Sequence, residues 1–354
     1  MPDSDAVRSR RAGKVRLSER QQEVLRAAVR AYVGEAAPIA SKQISHLLPR
    51  KRSPASIRAT LAELGQLGLL SQPHASAGRV PTEEGLRVFI DCLLPPRDVA
   101  EYDRRSIEFE VDTAATDALA TVAASVLTEH TRLLGFAIAP RLEQVALQHV
   151  SFVRLTSGQV LAVLIARTGA AHRRVIDSAP DLDQRALDRA ASLLNERIVG
   201  RTLSETRDAL RREAAALRQE ADRLLRWALD LGARAVAEQA EEVDVVVATR
   251  LALLDQPEFR DPRRVRDVLE TLETKERLAE ILEDVLDQEG VRVALGGEVG
   301  ERGLSQCALV ATRYGGPDAP LGAVGVIGPS RMDYSRVIPL VAYCSRVMTE
   351  KLLA

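Results

Sequence analysis

Aromatic residues are scarce in this chain, where five tyrosines, five phenylalanines and one tryptophan make up 3% of the 354 residues. Hydrophobic residues still account for 46% of the sequence, so its cores must be built from leucine, valine, isoleucine and alanine. No apolar run approaches the roughly 18 residues that a membrane-spanning helix needs, so we expect no membrane partner. Residues 1–16 are polar and rich in arginine, without the apolar segment of a secretory signal, and we expect a disordered basic tail there.

Cysteine pairs and metal-ligand spacings are also lacking. Three widely spaced cysteines, an odd number, are typical of a reducing cytoplasm rather than of a disulfide framework: Cys92, Cys307 and Cys344. The five histidines are not spaced as metal ligands with each other or with the cysteines, so we predict no metal and no cofactor. No Ser-His-Asp, Cys-His or paired-carboxylate arrangement stands out, which argues against an enzyme.

The net charge of −1 conceals an uneven distribution along the chain. Residues 1–80 contain 14 Lys+Arg and 6 Asp+Glu, a net charge of +8, whereas the other 274 residues contain 35 and 44, a net charge of −9. A basic head on an acidic body favours phosphate contact by the head, and it argues that the body does not lie on nucleic acid.

Residues 53–70 have the pattern of a DNA-reading helix. Ser53 is a suitable cap for a helix that begins at Pro54, whose missing N–H needs no partner. An apolar stripe at helical spacing predicts a buried side: Ile57, Leu61 and Leu64. This pattern leaves Ser56, Arg58 and Thr60 pointing outward near the helix N-terminus, where a recognition helix meets base edges.

Two shorter helical patterns precede this helix, and a glycine-containing hairpin pattern with Gly78-Arg79 at its predicted tip follows it. Together they predict a winged helix-turn-helix over 17–94, although a three-helix bundle with a basic surface has the same local signals. The expected contacts are Ser56, Arg58 and Thr60 with bases, Ser41, Lys42, Arg50, Lys51 and Arg52 with phosphates, Ser53 at the helix cap, and His74, Ser76 and Arg79 in the wing.

The rest of the chain alternates strand and helix patterns, which predicts an α+β multidomain protein. Pro95-Pro96 ends the head, a linker is expected over 95–110, and one helix over 113–135. Strand patterns recur on both sides of a helical segment, so a body of 111–176 and 243–354 with an antiparallel sheet is expected to carry a helical insert over 177–242.

The insert carries a seven-residue repeat of leucine and alanine that is typical of a helix–helix seam. We expect a homodimer through this seam, and the alternative is an amphipathic helix packed within its own subunit. The residues predicted to dimerise are Leu203, Leu210, Ala214, Leu217, Ala221, Leu224, Ala228 and Leu231.

Three segments make the chain resemble the family of heat-inducible transcription repressors called HrcA, from about Leu17 to Leu353. The first joins Ser-Pro-Ala-Ser-Ile-Arg at 53–58 with Gln-Pro-His-Ala-Ser-Ala-Gly-Arg-Val-Pro-Thr at 72–82. The second is Gln-Pro-Glu-Phe at 256–259, and the third is Gly-Val-Ile-Gly-Pro-Ser-Arg-Met-Asp-Tyr at 325–334. Chance matches would not occur in this order and spacing.

The resemblance implies a winged-helix head, a GAF-like α/β body and a helical dimerising domain inserted into that body. It also implies repression of chaperone operons of the groESL and dnaK type through an inverted-repeat operator, the CIRCE element. The implied partners are double-stranded DNA, a second copy of the chain, and the chaperonin GroEL, whose diversion by heat would relieve repression.

Two other functions are compatible with the sequence. GAF-like bodies often hold a small molecule, so a ligand-gated winged-helix regulator is the main alternative. A protein-interaction module, with the basic head on acidic partners, is the other.

Overall fold

The computed structural model describes the parts of the chain that carry the fold. These are residues 16–48, 53–74, 77–139, 146–167, 169, 171–177, 181–202, 205–206, 208–210, 212, 228–234, 245–248, 256–261, 266–268, 270–271, 289–299, 302–316 and 320–353. They form a mixture of helices and antiparallel sheets, which confirms the predicted α+β class. Apart from Arg16, the predicted basic tail lies outside these residues.

The head consists of three helices, a short hairpin and a fourth helix. Helices α1 (Glu19–Glu35), α2 (Ser41–Leu47) and α3 (Pro54–Gln66) precede strands β1 (Leu70–Ser71) and β2 (Val80–Pro81). Thr82 then caps α4 (Glu83–Val88) through a hydrogen bond from the Gly85 N–H, as its position before two acidic residues predicts. A π-helical turn, Phe89–Leu93, closes the head.

The body is built on one antiparallel sheet in the order β7-β3-β10-β9-β8. Its strands are β3 (Leu134–Ile138), β7 (Val245–Val247), β8 (Arg292–Leu295), β9 (Cys307–Gly315) and β10 (Pro320–Pro329). One face packs against helices α6 (Leu119–Thr131) and α8 (Tyr334–Leu353), and helix α5 (Glu101–Thr113) packs on these two helices. Phe259 and Val268 pack against the other face.

Two expectations for 95–135 were wrong. Residues 101–110 of the predicted linker belong to α5, which buries Ile107 and Val111 against the body. The single helix expected over 113–135 is instead a 3-10 turn, α6 and the start of β3. The chain leaves α6 at Arg132, which has a left-handed backbone with φ of 56°, so Leu133 and Leu134 continue an apolar pattern in a different element.

A second, separate sheet carries the predicted three-stranded meander. Strands β4 (Leu147–Thr156), β5 (Gln159–Ala166) and β6 (Ala171–Asp177) pair antiparallel in chain order, and α7 (Gln184–Ile198) packs on one face. The boundary predicted at 176 was therefore wrong, because these strands share a core with α7 instead of joining the five-stranded sheet. Strand pattern alone does not reveal which sheet a strand joins.

The described residues of the leucine–alanine repeat are buried within their own subunit. Leu210, Ala228 and Leu231 are at most 2% exposed and lie in the core that α7 shares with the three-stranded sheet. For these three the dimerisation assignment was wrong, because a side chain already covered by its own sheet offers no surface to a second chain. The other five residues of the predicted seam lie outside the described residues: Leu203, Ala214, Leu217, Ala221 and Leu224.

Head and body share one continuous core. Buried residues of α1 and α3 and buried residues of α8 belong to the same cluster, so the two units pack directly against each other. Within the part of the chain that the structure describes, none of the helices is long and apolar enough to cross a membrane.

Candidate nucleic-acid interface

The N-terminal half of α3 is an exposed surface of the head. Ser53 caps the helix, since its hydroxyl accepts a hydrogen bond from the Ser56 N–H at 3.2 Å. Arg58 and Ala59 are exposed and Ser56 is half-buried, while Ile57 and Leu64 are fully buried. The helix therefore exposes Arg58 and the edge of Ser56 to solvent, in agreement with the sequence pattern.

Thr60 was wrongly placed on this surface. Its side chain is 0% exposed, and its hydroxyl donates to the Ser56 carbonyl at 3.1 Å. Positions 57, 60, 61 and 64 share one face of a 3.6-residue helix, so threonine completes the buried stripe. The helical spacing in the sequence already places Thr60 on the buried face, but its polar side chain favoured the prediction of an exposed position.

Ionic contacts hold α3 against α1. The Glu63 carboxylate accepts hydrogen bonds from Arg20 Nη2 at 2.8 Å and from Gln21 Nε2 at 3.0 Å. Because Glu63 lies near the C-terminal end of α3, this contact fixes the helix away from the surface that Arg58 occupies. A DNA-reading helix needs such support, since base contacts are sensitive to small rotations of the helix.

Only some of the residues predicted to contact phosphates or to lie in the wing are among the described residues. On α2, Ser41 is half-buried and Lys42 is exposed, as expected for residues that flank a groove. His74 is exposed beyond β1. The remaining expected contacts, Arg50, Lys51, Arg52 and Ser76, lie outside the described residues.

The prediction that Gly78-Arg79 forms the wing tip was wrong, because these residues lie at the base of the hairpin. Arg79 pairs with Ile39 in an antiparallel bridge, and a Cβ added to Gly78 would lie 2.4 Å from the Ile39 carbonyl oxygen. The Arg79 side chain turns back over α3, so that its Nη1 would lie 3.1 Å from a Cβ at Gly65. Ile39 thus pairs with the wing through an isolated β-bridge that the sequence pattern did not reveal.

The structure also brings together three polar residues that the sequence did not connect. His130 Nδ1 lies 2.9 Å from Asp103 Oδ1, and its Nε2 lies 3.1 Å from Ser106 Oγ. Asp103 and His130 are each 7% exposed, and Ser106 also contacts Glu110 on the same helix. This array joins α5 to α6 beside an open cleft of about 320 Å³ that is lined by Arg132 and Arg336 among others.

Potential metal ligands do not cluster in the described residues, where no group of three His, Cys, Asp or Glu side chains is arranged to hold an ion.

Comparison with known proteins assigns the chain to a family. The family model for the HrcA protein C-terminal domain matches residues 117–338. A heat-inducible transcription repressor HrcA of Xylella fastidiosa (strain M23) is 35% identical over 332 residues, which cover 94% of this chain and 95% of the relative. This chain belongs to the HrcA family. A Nitratidesulfovibrio vulgaris repressor of the same name is 34% identical over 339 residues, with the same coverage of both chains.

The assignment to HrcA makes the chain a heat-inducible transcription repressor and not an enzyme. One solved structure, a crystal structure described as that of a hypothetical protein at 2.2 Å resolution, matches with a TM-score of 0.62 and 21% identity. It covers 95% of this chain and 99% of its own, which supports the fold as a whole. The HrcA resemblance noted in the sequence is confirmed.

Proposed function

We propose that this chain represses heat-shock chaperone operons of the groESL and dnaK type by binding an inverted-repeat CIRCE operator as a dimer in the cytoplasm. The observation that carries the proposal is the exposed N-terminal half of α3, with Arg58 outward, in a chain whose first 80 residues carry a net charge of +8. A second copy would place a second α3 on the same duplex, which requires a palindromic operator.

Base recognition is assigned to Arg58 and Ser56. Arginine reads guanine through two parallel hydrogen bonds in the major groove, and a serine hydroxyl donates to or accepts from either base of a pair. Lys42 and the basic run at 50–52 are assigned to phosphates, together with Ser41. His74, Ser76 and Arg79 remain proposed wing contacts, and Thr60 is removed from the set because it is buried.

Dimerisation is assigned to the open face of the three-stranded sheet, in place of the leucine–alanine seam. On this face Val153, Leu161 and Val175 form a row across β4, β5 and β6, and the outer two are 44% and 53% exposed. Strand β5 is apolar from Val160 to Ala166 without alternation, which is typical of a strand covered on both faces. Among the described residues only one face of this sheet is covered, by α7, and a second copy is the proposed cover for the other.

The test of this interface is the oligomeric state. The double variant Val153→Glu with Val175→Glu should sediment as a monomer at micromolar concentration, because two buried carboxylates per subunit would lack partners. The matched control is Val199→Glu, since Val199 is 60% exposed and lies at the end of α7, away from this face. A double variant that stays dimeric would show that the dimer forms through another surface.

The chaperonin is proposed as the partner that keeps the repressor competent, so that heat lowers repression by diverting it to unfolded clients. The aromatic-poor cores support a body of modest stability that needs help to stay folded. Full operator affinity that survives repeated heating and cooling without chaperonin would contradict this role.

The test of the function is a gel shift on DNA from upstream of the chaperonin operon, against a scrambled duplex of equal composition, each with and without GroEL. Binding to the native repeat alone supports the repressor, and a gain with GroEL supports the feedback. Equal, salt-sensitive binding to both duplexes would leave only non-specific phosphate contact.

A ligand-gated repressor is the second candidate, and the cleft beside His130 favours it. Two basic and two acidic side chains line this cleft, Arg132, Arg336, Asp103 and Glu129, and Arg336 pairs with Asp103 at 3.6 Å. The cleft therefore suits a small zwitterion, which would change operator affinity by binding one head orientation better. Screening amino acids and other small zwitterions for an increase in melting temperature tests this candidate, because a ligand that binds only the folded state stabilises it.

A further inference from the structure

The segments 256–259 and 325–334 are far apart in sequence and meet at one side chain of the body, Arg331. Its guanidinium forms an ion pair with Glu258, with Nη2 donating to Glu258 Oε2 at 3.0 Å. The same Nη2 lies 3.3 Å from Gln256 Oε1, and Gln256 donates in turn to the Arg132 carbonyl at 3.2 Å. Phe259, which is 4% exposed, anchors the segment in the core below the sheet.

Arg331 also reaches across to the head. Its Nη1 donates to the backbone carbonyl of Val33 at 3.1 Å. Val33 lies in the last turn of α1, where carbonyl groups lack a partner within the helix. A cation at this end is favoured by the helix dipole, so Arg331 caps the first helix of the DNA-binding head from the body.

The geometry of this contact restricts the movement of the Arg331 side chain. The Arg331 side chain is 12% exposed and that of Glu258 is 20% exposed, so solvent screens the pair only weakly. A guanidinium is planar and donates in fixed directions, so a carboxylate on one side sets the direction of the bond to Val33 on the other. Tyr32 packs beside the pair, and burial together with the Glu258 charge raises the pKa of its phenol.

A second contact holds the opposite end of the head. On α4, Arg87 Nη2 donates to the Val293 carbonyl at 2.8 Å and the side chain forms an ion pair with Glu298. Glu83, on the same helix, accepts from the Gly297 N–H at 3.4 Å. Head and body are therefore joined at the first and the last helix of the head, and a rotation of the head has to break at least one of the two contacts.

We propose that Arg331, held by Glu258, is a positioning residue that sets the distance between the two recognition helices of the dimer. This inference rests on the proposed function, because only a dimer on an inverted repeat has such a distance to set. Half-sites are read together only when both heads stand at the spacing of the DNA helix. When both heads are held rigidly on the body, the dimer gains affinity because it binds both half-sites at once. When the heads move freely, the dimer loses this gain and its preference for one spacing between the half-sites.

The expected effect on binding distinguishes a positioning residue from a residue that contacts DNA. Arg331 is on the body, so its loss should leave the affinity of one head for one half-site within about twofold. Binding to the full repeat should fall by about 10- to 100-fold, since the gain from two linked sites is of order 100-fold or more. The preference for the native spacing should fall as well.

The test uses full-length dimer and three duplexes: the inverted repeat, the same repeat with about half a helical turn (roughly 5 base pairs) inserted at its centre, and a single half-site. The variants are Arg331→Gln and Glu258→Gln. The matched control is Arg313→Gln, since Arg313 also pairs with a body carboxylate, that of Glu289 at 3.1 Å, in a contact that does not involve the head. Dissociation constants are measured at one salt concentration.

The wild type and Arg313→Gln are expected to bind the inserted repeat much more weakly than the native one. Arg331→Gln and Glu258→Gln are expected to bind the native repeat more weakly than the wild type and to discriminate less between the two repeats, while the Arg87 contact and the shared core still hold the head. If Arg331→Gln melts before it can be assayed, Arg331→Lys serves instead, because it keeps the charge but loses the planar fork and should show the same loss of spacing preference.

An Arg331 variant that keeps the wild-type ratio between native and inserted repeats overturns the inference while the proposed function stands. Equal loss on all three duplexes would also overturn it, since that indicates damage to the head itself. A wild type that binds the repeat no better than a scrambled duplex overturns the proposed function and this inference with it.

Discussion

The backbones of Ile39 and Arg79 exchange two hydrogen bonds, each 2.9 Å long, which tie the wing of the head to the segment between α1 and α2. Ile39 is fully buried, so the bridge also closes the core of the head. The hairpin strands β1 and β2 have only two residues each, and a hairpin of that length is not stable by itself in water. The wing is therefore held by this bridge.

Gly78 is required for that bridge. A methyl group at this position would lie 2.4 Å from the Ile39 carbonyl oxygen and 2.5 Å from its carbon, and neither can move without opening the bridge. We expect Gly78→Ala to lower the free energy of unfolding by about 1–3 kcal/mol. Gly34→Ala is the matched control, since nothing lies within 4 Å of its added methyl in α1, and it should raise stability by about 0.5 kcal/mol. Urea unfolding of both variants measures the difference.

Arg58 is expected to carry sequence recognition without supporting the fold. Arg58→Ala should weaken operator binding by roughly 1–3 kcal/mol and relax the preference for one base pair. Because the side chain is exposed, the melting temperature should stay unchanged. Gel shifts on the operator and on single-base variants provide the measurement, and unchanged operator affinity would remove α3 as the reading helix.

Thr60→Val tests the buried side of the same helix. The hydroxyl bonds only to the Ser56 carbonyl in the structure, and the side chain is fully buried. Because this hydrogen bond is lost, we expect the free energy of unfolding to fall by about 0.5–1.5 kcal/mol. The operator affinity should stay within about twofold of the wild type, since the side chain does not reach the surface. A loss of base preference in a stably folded Thr60→Val would contradict this placement.

Leu210 is expected to stabilise the insert and not a dimer seam. Leu210→Ala removes a side chain that is 2% exposed, and it should cost about 2–5 kcal/mol of stability in the insert. Leu353→Ala is the control, because that leucine is 58% exposed and its loss should cost less than about 0.5 kcal/mol. Hydrogen exchange of β4–β6, which share a core with Leu210, measures this loss. Dissociation of the dimer with unchanged exchange protection would show instead that Leu210 lies in a dimer seam.

Thiol reactivity should distinguish Cys92 from the other two cysteines. Cys92 is exposed, whereas Cys307 and Cys344 are buried and burial raises the pKa of each thiol to about 12. The thiolate is the reacting form, so a raised pKa slows the reaction at neutral pH and the rate increases as the pH rises. An aromatic disulfide reagent at pH 8 should modify one thiol in the folded protein and three in denaturant. Fast modification of two or more would show that the core opens.

Local signals in the sequence were sufficient for the elements of the head and for several strands. Ser53, Pro54 and the stripe at 57, 61 and 64 defined α3, because capping and helical spacing act within a few residues. The meander at 147–177 was recognisable from its turns and its apolar strands. The family could be named from three segments, since their order and spacing are properties of the sequence itself.

Long-range packing decided the features that local sequence signals did not predict. Ile39 pairs with the wing, β4–β6 form a separate sheet with α7, and residues 101–113 pack on the body. In each case a polar or short apolar segment fits two environments equally well, and the choice depends on which distant surface needs covering. Arg331 illustrates the same limit, because its bond to Val33 joins two ends of the chain and exists only once head and body have packed together.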